Sequence, residues 1–197
     1  MRIAAALTCC CVLLTGSTAG AQPVAKFLAG AAVALAMHEA GHVAADVMFG
    51  EVPGVKKVSL AGIPFFAITH DTLSPAREFG VSSAGFWVQE ASTEILLTHV
   101  PELRRKDAPF AKGLLTFNTL ASVAYAGAAF ARVGPAERDT RGMADAARLR
   151  EPWIGAIVLA PAVLDAVRYY KPETRWLRWA SRASKVAGAL LVLRAAN

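Results

Sequence analysis

Apolar residues fall in four long runs along the chain, at roughly 24–48, 79–100, 109–132 and 152–170. Each is long enough, or nearly so, for a helix that crosses a hydrocarbon layer, which takes about 20 residues at 1.5 Å each. Helix-start signals precede the second and third: Ser74-Pro75, and Asp107 with Pro109. Trp153 and Tyr169-Tyr170 bracket the fourth, about 24 Å apart at helical rise, the separation of two interfacial aromatic belts. The stretch 49–73 has a different character. Gly50, Pro53, Gly54, Gly62 and Pro64 break helices, while Val55–Leu60 and Ile63–Ile68 are short β-like runs, so a small hairpin is predicted there. After Tyr170, Arg175, Arg178 and Arg182 alternate with Trp176, Leu177 and Trp179 in the pattern of an interfacial amphipathic helix over 173–185. The apolar run 186–193 is too short to count as a further crossing. The pattern predicts an all-α polytopic membrane protein of about four transmembrane helices, with a small irregular or β insertion after the first.

Composition supports this fold class. Of 197 residues, 55% are hydrophobic and 18% charged, and the mean hydropathy is +0.40, too apolar for an ordinary soluble domain. The net charge of +6 does not form a nucleic-acid footprint. Its lysines and arginines lie between the apolar runs, as in loops that face lipid headgroups, so the bilayer and not a nucleic acid is the expected partner. The N-terminus reads as a secretory signal over 1–21, with an uncleaved anchor as the alternative. Arg2 is its positive end, Ile3 to Leu14 its apolar core, and Ala19-Gly20-Ala21 a cleavage site before Gln22. All three cysteines, Cys9 to Cys11, fall inside it, so the cleaved chain has no thiol for disulfides, catalysis or metal binding. The division that follows is 1–21 signal, 22–170 membrane domain and 171–197 C-terminal helix.

The chemistry is concentrated in His38-Glu39-Ala40-Gly41-His42, an H-E-x-x-H motif inside the first apolar run. Four histidines and nine glutamates placed at random in this chain would form the pattern about 0.004 times. On a helix, His38 and His42 share a face and can ligate one metal ion, while Glu39 stands one step round as a general base for water. Catalytic zinc takes three protein ligands, so a third is required. Candidates are His70 in the irregular stretch, His99 at the end of the second run, Glu90 and Glu94 on one face of that run, and Asp165. Asp46, one turn past His42, reads as a supporting or helix-end residue. Asp165 stands out, because it is a carboxylate inside an apolar run with Pro161 just upstream.

His38-Glu39-x-Gly41-His42 followed by Gly50, the valine-rich Val55 to Val58 and a glycine-containing loop resembles the site-2 protease family of intramembrane metalloproteases. The family's later Leu-Asp-Gly motif, often after proline, is matched by Leu164-Asp165-Ala166 after Pro161, with alanine for glycine. Ser83-Ala84-Gly85-Phe86 with Gln89 is a fainter echo of its Ala-Gly-Pro…Asn segment. The resemblance covers roughly 35–170 and implies one Zn²⁺ held by His38, His42 and Asp165. It also implies Glu39 as the catalytic base, a membrane protein as substrate and a multi-pass protein of the cell membrane. The alanine of Leu-Asp-Ala keeps a rival reading open, a non-catalytic pseudoprotease-like binding or scaffold protein of the same fold. An ATP-dependent membrane protease would need a G-x-x-x-x-G-K-[ST] loop, which the sequence lacks, and a di-iron hydroxylase would need more than four histidines.

Overall fold

The computed structural model describes residues 21–60 and 63–195. Helix α1 (Ala21–Phe49) leads into the antiparallel hairpin β1 (Gly54–Leu60) and β2 (Ile63–Thr69), followed by α2 (Pro75–His99). A 3₁₀ turn (Leu103–Arg105) precedes α3 (Pro109–Ala131), α4 (Asp139–Ala147), α5 (Glu151–Tyr170) and α6 (Arg175–Ala195). The signal reading lies outside the described residues.

Local chemistry sets most of these boundaries. Pro75 and Pro109 occupy first-turn positions, where a missing N–H costs nothing. Gly50, at φ +81°, ends α1 in the left-handed region. Arg132 and Arg148 end α3 and α4 in the same conformation, at φ 55° and 56°. The hairpin pairs Gly54 with Thr69 through to Leu60 with Ile63, which places the predicted β-runs opposite each other.

Helix α2 is central and packs against α1, α3, α4, α5 and α6. Its inward face is mixed: Ser82, Ser83, Gln89 and Thr93 are buried beside Phe79, Val81, Phe86 and Leu97. Much of the outward surface is apolar, with Val24 and Leu28 of α1, Leu120 and Val123 of α3, and Val163 of α5 exposed. Beside the buried apolar core, this leaves outward apolar faces that water does not favour. Helices α1, α3 and α5 are long and apolar enough to cross a membrane. They match three of the four predicted crossings; the fourth, α2, is not among the helices apolar enough to span. Helices α1 and α3 meet at glycines: a Cβ on Gly30 would land on the Phe110 carbonyl, and one on Gly113 on the Phe27 carbonyl. Only hydrogen at both positions permits this backbone contact.

The C-terminal segment forms the helix read from its sequence, but it runs longer than 173–185. Residues 175–195 form one continuous helix antiparallel to α2, with Arg182 and Lys185 against Glu94 and Gly188 beside Trp87. Leu177 and Ser181 are buried, while Trp176 and Trp179 face outward. The inward cations find carboxylates on α2 and α5, which ties this helix to the bundle.

Candidate metal centre

Four residues apart on α1, His38 and His42 point the same way and are 2% and 5% exposed. Their positions depend on a close approach of α1 to α2. A Cβ on Gly41 would come within 2.9 Å of the Ala84 carbonyl oxygen, and one on Gly85 within 2.5 Å of both imidazoles. The His42 Nδ1–H donates to the Val81 carbonyl at 2.8 Å. That bond leaves the lone pair on Nε2, the atom turned into the site. His38 Nδ1 has no partner among the described residues.

The third group is Asp139. Its Oδ2 lies 3.1 Å from His38 Nε2 and 3.4 Å from His42 Nε2, and the two nitrogens are 3.2 Å apart. Tetrahedral ligands bound at about 2.0–2.1 Å stand roughly 3.3–3.4 Å from each other. Three donor atoms of suitable chemistry therefore converge at nearly the spacing a tetrahedral ion requires. Among the described residues, this is the one group of three His, Cys, Asp or Glu side chains whose ligand atoms lie close enough together to hold a metal ion.

Asp139 is the first residue of α4 and is braced on both sides. Upstream, Lys56 of β1 bonds Glu137 at 2.5 Å. Arg138 forms a bidentate pair with Glu151 of α5, both bonds 2.6 Å, and also donates to the Pro135 carbonyl. Downstream, the Thr140 hydroxyl donates to Glu151 at 2.9 Å. Burial by itself would raise the Asp139 carboxyl pKa, but the adjacent His42 and His38 imidazoles outweigh it and hold the group well below the usual carboxylate range. Its place in the first turn of a helix also favours the anion. The Tyr125 ring stacks on His38 at 5.8 Å between centroids and so supports one of the three groups.

Glu39 is half-buried and opens with the triad onto a cavity of about 490 Å³. Leu35 of α1, Phe66 and Ile68 of β2, and Ala121 and Ala124 of α3 give the cavity apolar walls.

Asp165 does not complete the site. It accepts bonds from Lys185 Nζ at 2.8 Å and Ser181 Oγ at 2.5 Å, with Arg168 at 3.9 Å. Helix α5 turns this carboxylate toward the cations of α6, and the pairing that makes its burial tolerable occupies it. Glu94 holds Arg168, Arg182 and Lys185. His70 lies 3.6 Å from Glu78 at the cavity wall, His99 is exposed at the end of α2, and Asp46 is buried without a side-chain partner among the described residues. Sequence reasoning missed Asp139 because it lies in the charged stretch 133–150, outside every apolar run. The available signal was local: Gly134-Pro135 breaks the chain, and an acid opens the helix that follows.

No family model matches the chain, and neither a curated protein nor a solved structure does. What it can do chemically is therefore argued from two imidazoles, a carboxylate and a neighbouring glutamate around one cavity.

Proposed function

We propose that the protein is a membrane-embedded zinc metallopeptidase that hydrolyses a peptide bond in a membrane-spanning or membrane-proximal segment. The observation that carries this reading is the His38–His42–Asp139 triangle with Glu39 beside it in a single apolar cavity. Two imidazoles and one carboxylate, with room for a fourth ligand, match the donor set of catalytic zinc. Bound there, the ion supplies Lewis acidity, which lowers the pKa of water toward about 7 and polarises a carbonyl.

The remaining chemistry belongs to the chain. Glu39 accepts the proton from the attacking water and returns it to the leaving amine. The Val81 carbonyl fixes the His42 ring, and Tyr125 packs against His38. The apolar walls exclude bulk water, and strand β2 along the rim favours a substrate that enters extended. The outward apolar faces of α1, α3 and α5 support a location in the cell membrane. The likeness to site-2 proteases stands as part of this proposal, with Asp139 in the ligand role that the motif comparison assigned to Asp165.

Glu39→Gln tests the reading. Glutamine keeps the size but cannot take the proton, so cleavage should fall by about 10²–10⁴-fold with zinc content unchanged. His42→Ala should lose both. Zinc is measured alongside cleavage of a co-expressed library of single-span substrates. A zinc-loaded wild type that cleaves nothing beyond what Glu39→Gln cleaves would sink the peptidase and leave a binding protein.

A further inference from the structure

The two ends of the bundle differ in how their charges are balanced. At one end, Leu97 of α2, Leu103 of the 3₁₀ turn, Leu115 of α3 and Tyr169 of α5 meet in one apolar cluster. That cluster brings the segments 100–108 and 171–178 to the same end. Together they carry six cations against three acids, and Arg104, Arg105, Lys106, Lys171, Arg175 and Arg178 are all exposed. Of these, only Arg105 reaches a carboxylate among the described residues, Glu102 at 3.4 Å, and that pair is itself exposed. At the other end, the segments 50–78 and 132–151 carry eight cations against seven acids. Three of those cations are held in ion pairs, Lys56 with Glu137, Arg138 with Glu151 and Arg141 with Asp145. The excess of positive charge is therefore concentrated at the first end.

The surface beside these cations identifies what neutralises them. Tyr170, Trp176 and Trp179 stand among them, 63%, 65% and 69% exposed. Tyrosine and tryptophan next to arginine and lysine, at the ends of apolar helices, are the side chains that meet a headgroup layer. Helices α3 and α5, which begin and end at this surface, are apolar enough to cross a membrane. On α6 the exposed side chains continue as Trp179, Val186, Leu190 and Leu193, whose spacings of seven, four and three keep them on one face. Because α6 runs antiparallel to α2, this stripe leads away from the cations along the side of the bundle. A ligand that fits both parts has an anionic head and an apolar tail. A nucleic acid or a soluble acidic protein would leave the stripe uncovered. A phospholipid with a negative headgroup covers it with acyl chains, and each exposed cation adds an attraction that a zwitterionic headgroup does not offer.

We infer that this end of the protein selects anionic phospholipids, with headgroups on Arg104, Lys106, Lys171, Arg175 and Arg178 and acyl chains along the α6 stripe. The surface lies at the end opposite the hairpin and Asp139. It rests on the membrane location, and on neither the metal nor the peptidase reading.

Full-length protein carrying Trp153→Phe, which removes the exposed tryptophan of the other end, is reconstituted into phosphatidylcholine vesicles with a minority of phosphatidylglycerol. Bromine is placed on the acyl chains of the phosphatidylglycerol, or of an equal amount of the phosphatidylcholine. Brominated chains quench a tryptophan that they touch, so the two preparations report which lipid sits against Trp176 and Trp179. Quenching should be stronger with bromine on phosphatidylglycerol, equivalent to an enrichment of about threefold or more. The preference should fade at high salt, because the cations are exposed. The combined variant Arg104→Gln, Lys106→Gln, Arg175→Gln and Arg178→Gln should abolish it; these are surface changes that spare the fold. Lys57→Gln with Arg148→Gln, at the other end, should leave it intact. His42→Ala should also keep it, which separates this surface from the metal centre. Equal quenching by the two preparations would overturn the proposal, as would a preference that survives in the combined variant or is lost equally in the control. Polyglutamate that abolishes the preference at an ionic strength where chloride does not would assign the surface to an acidic protein and overturn it as well.

Discussion

Replacing Gly85 by alanine should empty the metal centre without unfolding the protein. The new methyl would stand 2.5 Å from His38 Cε1, 2.5 Å from His42 Nε2 and 2.6 Å from His38 Nε2. Ordinary contact begins near 3.5 Å, so each ring would have to retreat by about 1 Å. A metal site tolerates displacements of only about 0.2 Å, several times less than this retreat. If the rings instead hold still, the overpacking costs about 1–3 kcal/mol. Alanine's advantage over glycine inside a helix, up to about 1 kcal/mol, offsets part of that. The expected result is zinc affinity reduced more than about 100-fold, with the metal-free protein melting within a few degrees of wild type. Gly127→Ala on α3 is the control, because its methyl meets nothing within 4 Å. Both variants are dialysed against buffers of graded free zinc, and bound metal is counted by mass spectrometry. Gly85→Ala loading zinc as tightly as Gly127→Ala would refute the placement of the imidazoles against α2, and with it the triangle.

Two further predictions follow from the carboxylates. Asp139→Asn should cost more than about 100-fold in zinc affinity, beyond what loss of an outer-shell partner does. Asp165→Asn should bind zinc normally but lose up to about 3 kcal/mol of stability as Lys185 is left half-paired. Zinc titration and denaturant melts of the two variants separate these outcomes, and exchanged phenotypes would restore Asp165 as the ligand. The second concerns pH. Asp139 has a folded pKa below its unfolded value of about 3.9, so its stabilising contribution is present above that value and is lost only as pH falls through the lower one. The stability difference between metal-free wild type and Asp139→Asn should therefore shrink as pH falls below about 4, where the folded-state carboxylate takes up its proton. A difference that has already vanished at pH 6 would contradict the pairing of Asp139 with the imidazoles.

The sequence by itself determined the elements, because periodicity and chain-breaking residues act within a few positions. The runs 109–132 and 152–170 became α3 and α5 almost residue for residue, and the break around Pro53 precedes the hairpin. It also determined two-thirds of the candidate metal centre, since the four-residue spacing of His38 and His42 alone places both rings on one helix face. The third candidate ligand was decided only by tertiary structure. Asp139 lies 97 residues after His42, and nothing local distinguishes its carboxylate from that of Asp165. What separates them is where α4 and α5 deliver them. The Arg138–Glu151 clamp and the close approach at Gly41 and Gly85 bring Asp139 under the imidazoles, while Asp165 faces Lys185 and Ser181. The C-terminal helix shows the same division. Its arginine spacing is helical in sequence, but the carboxylates that draw its charged face inward, Glu94 and Asp165, lie on other helices. Helical and extended preferences are written in neighbouring residues, whereas the pairing of buried charges depends on partners that only the folded chain brings together.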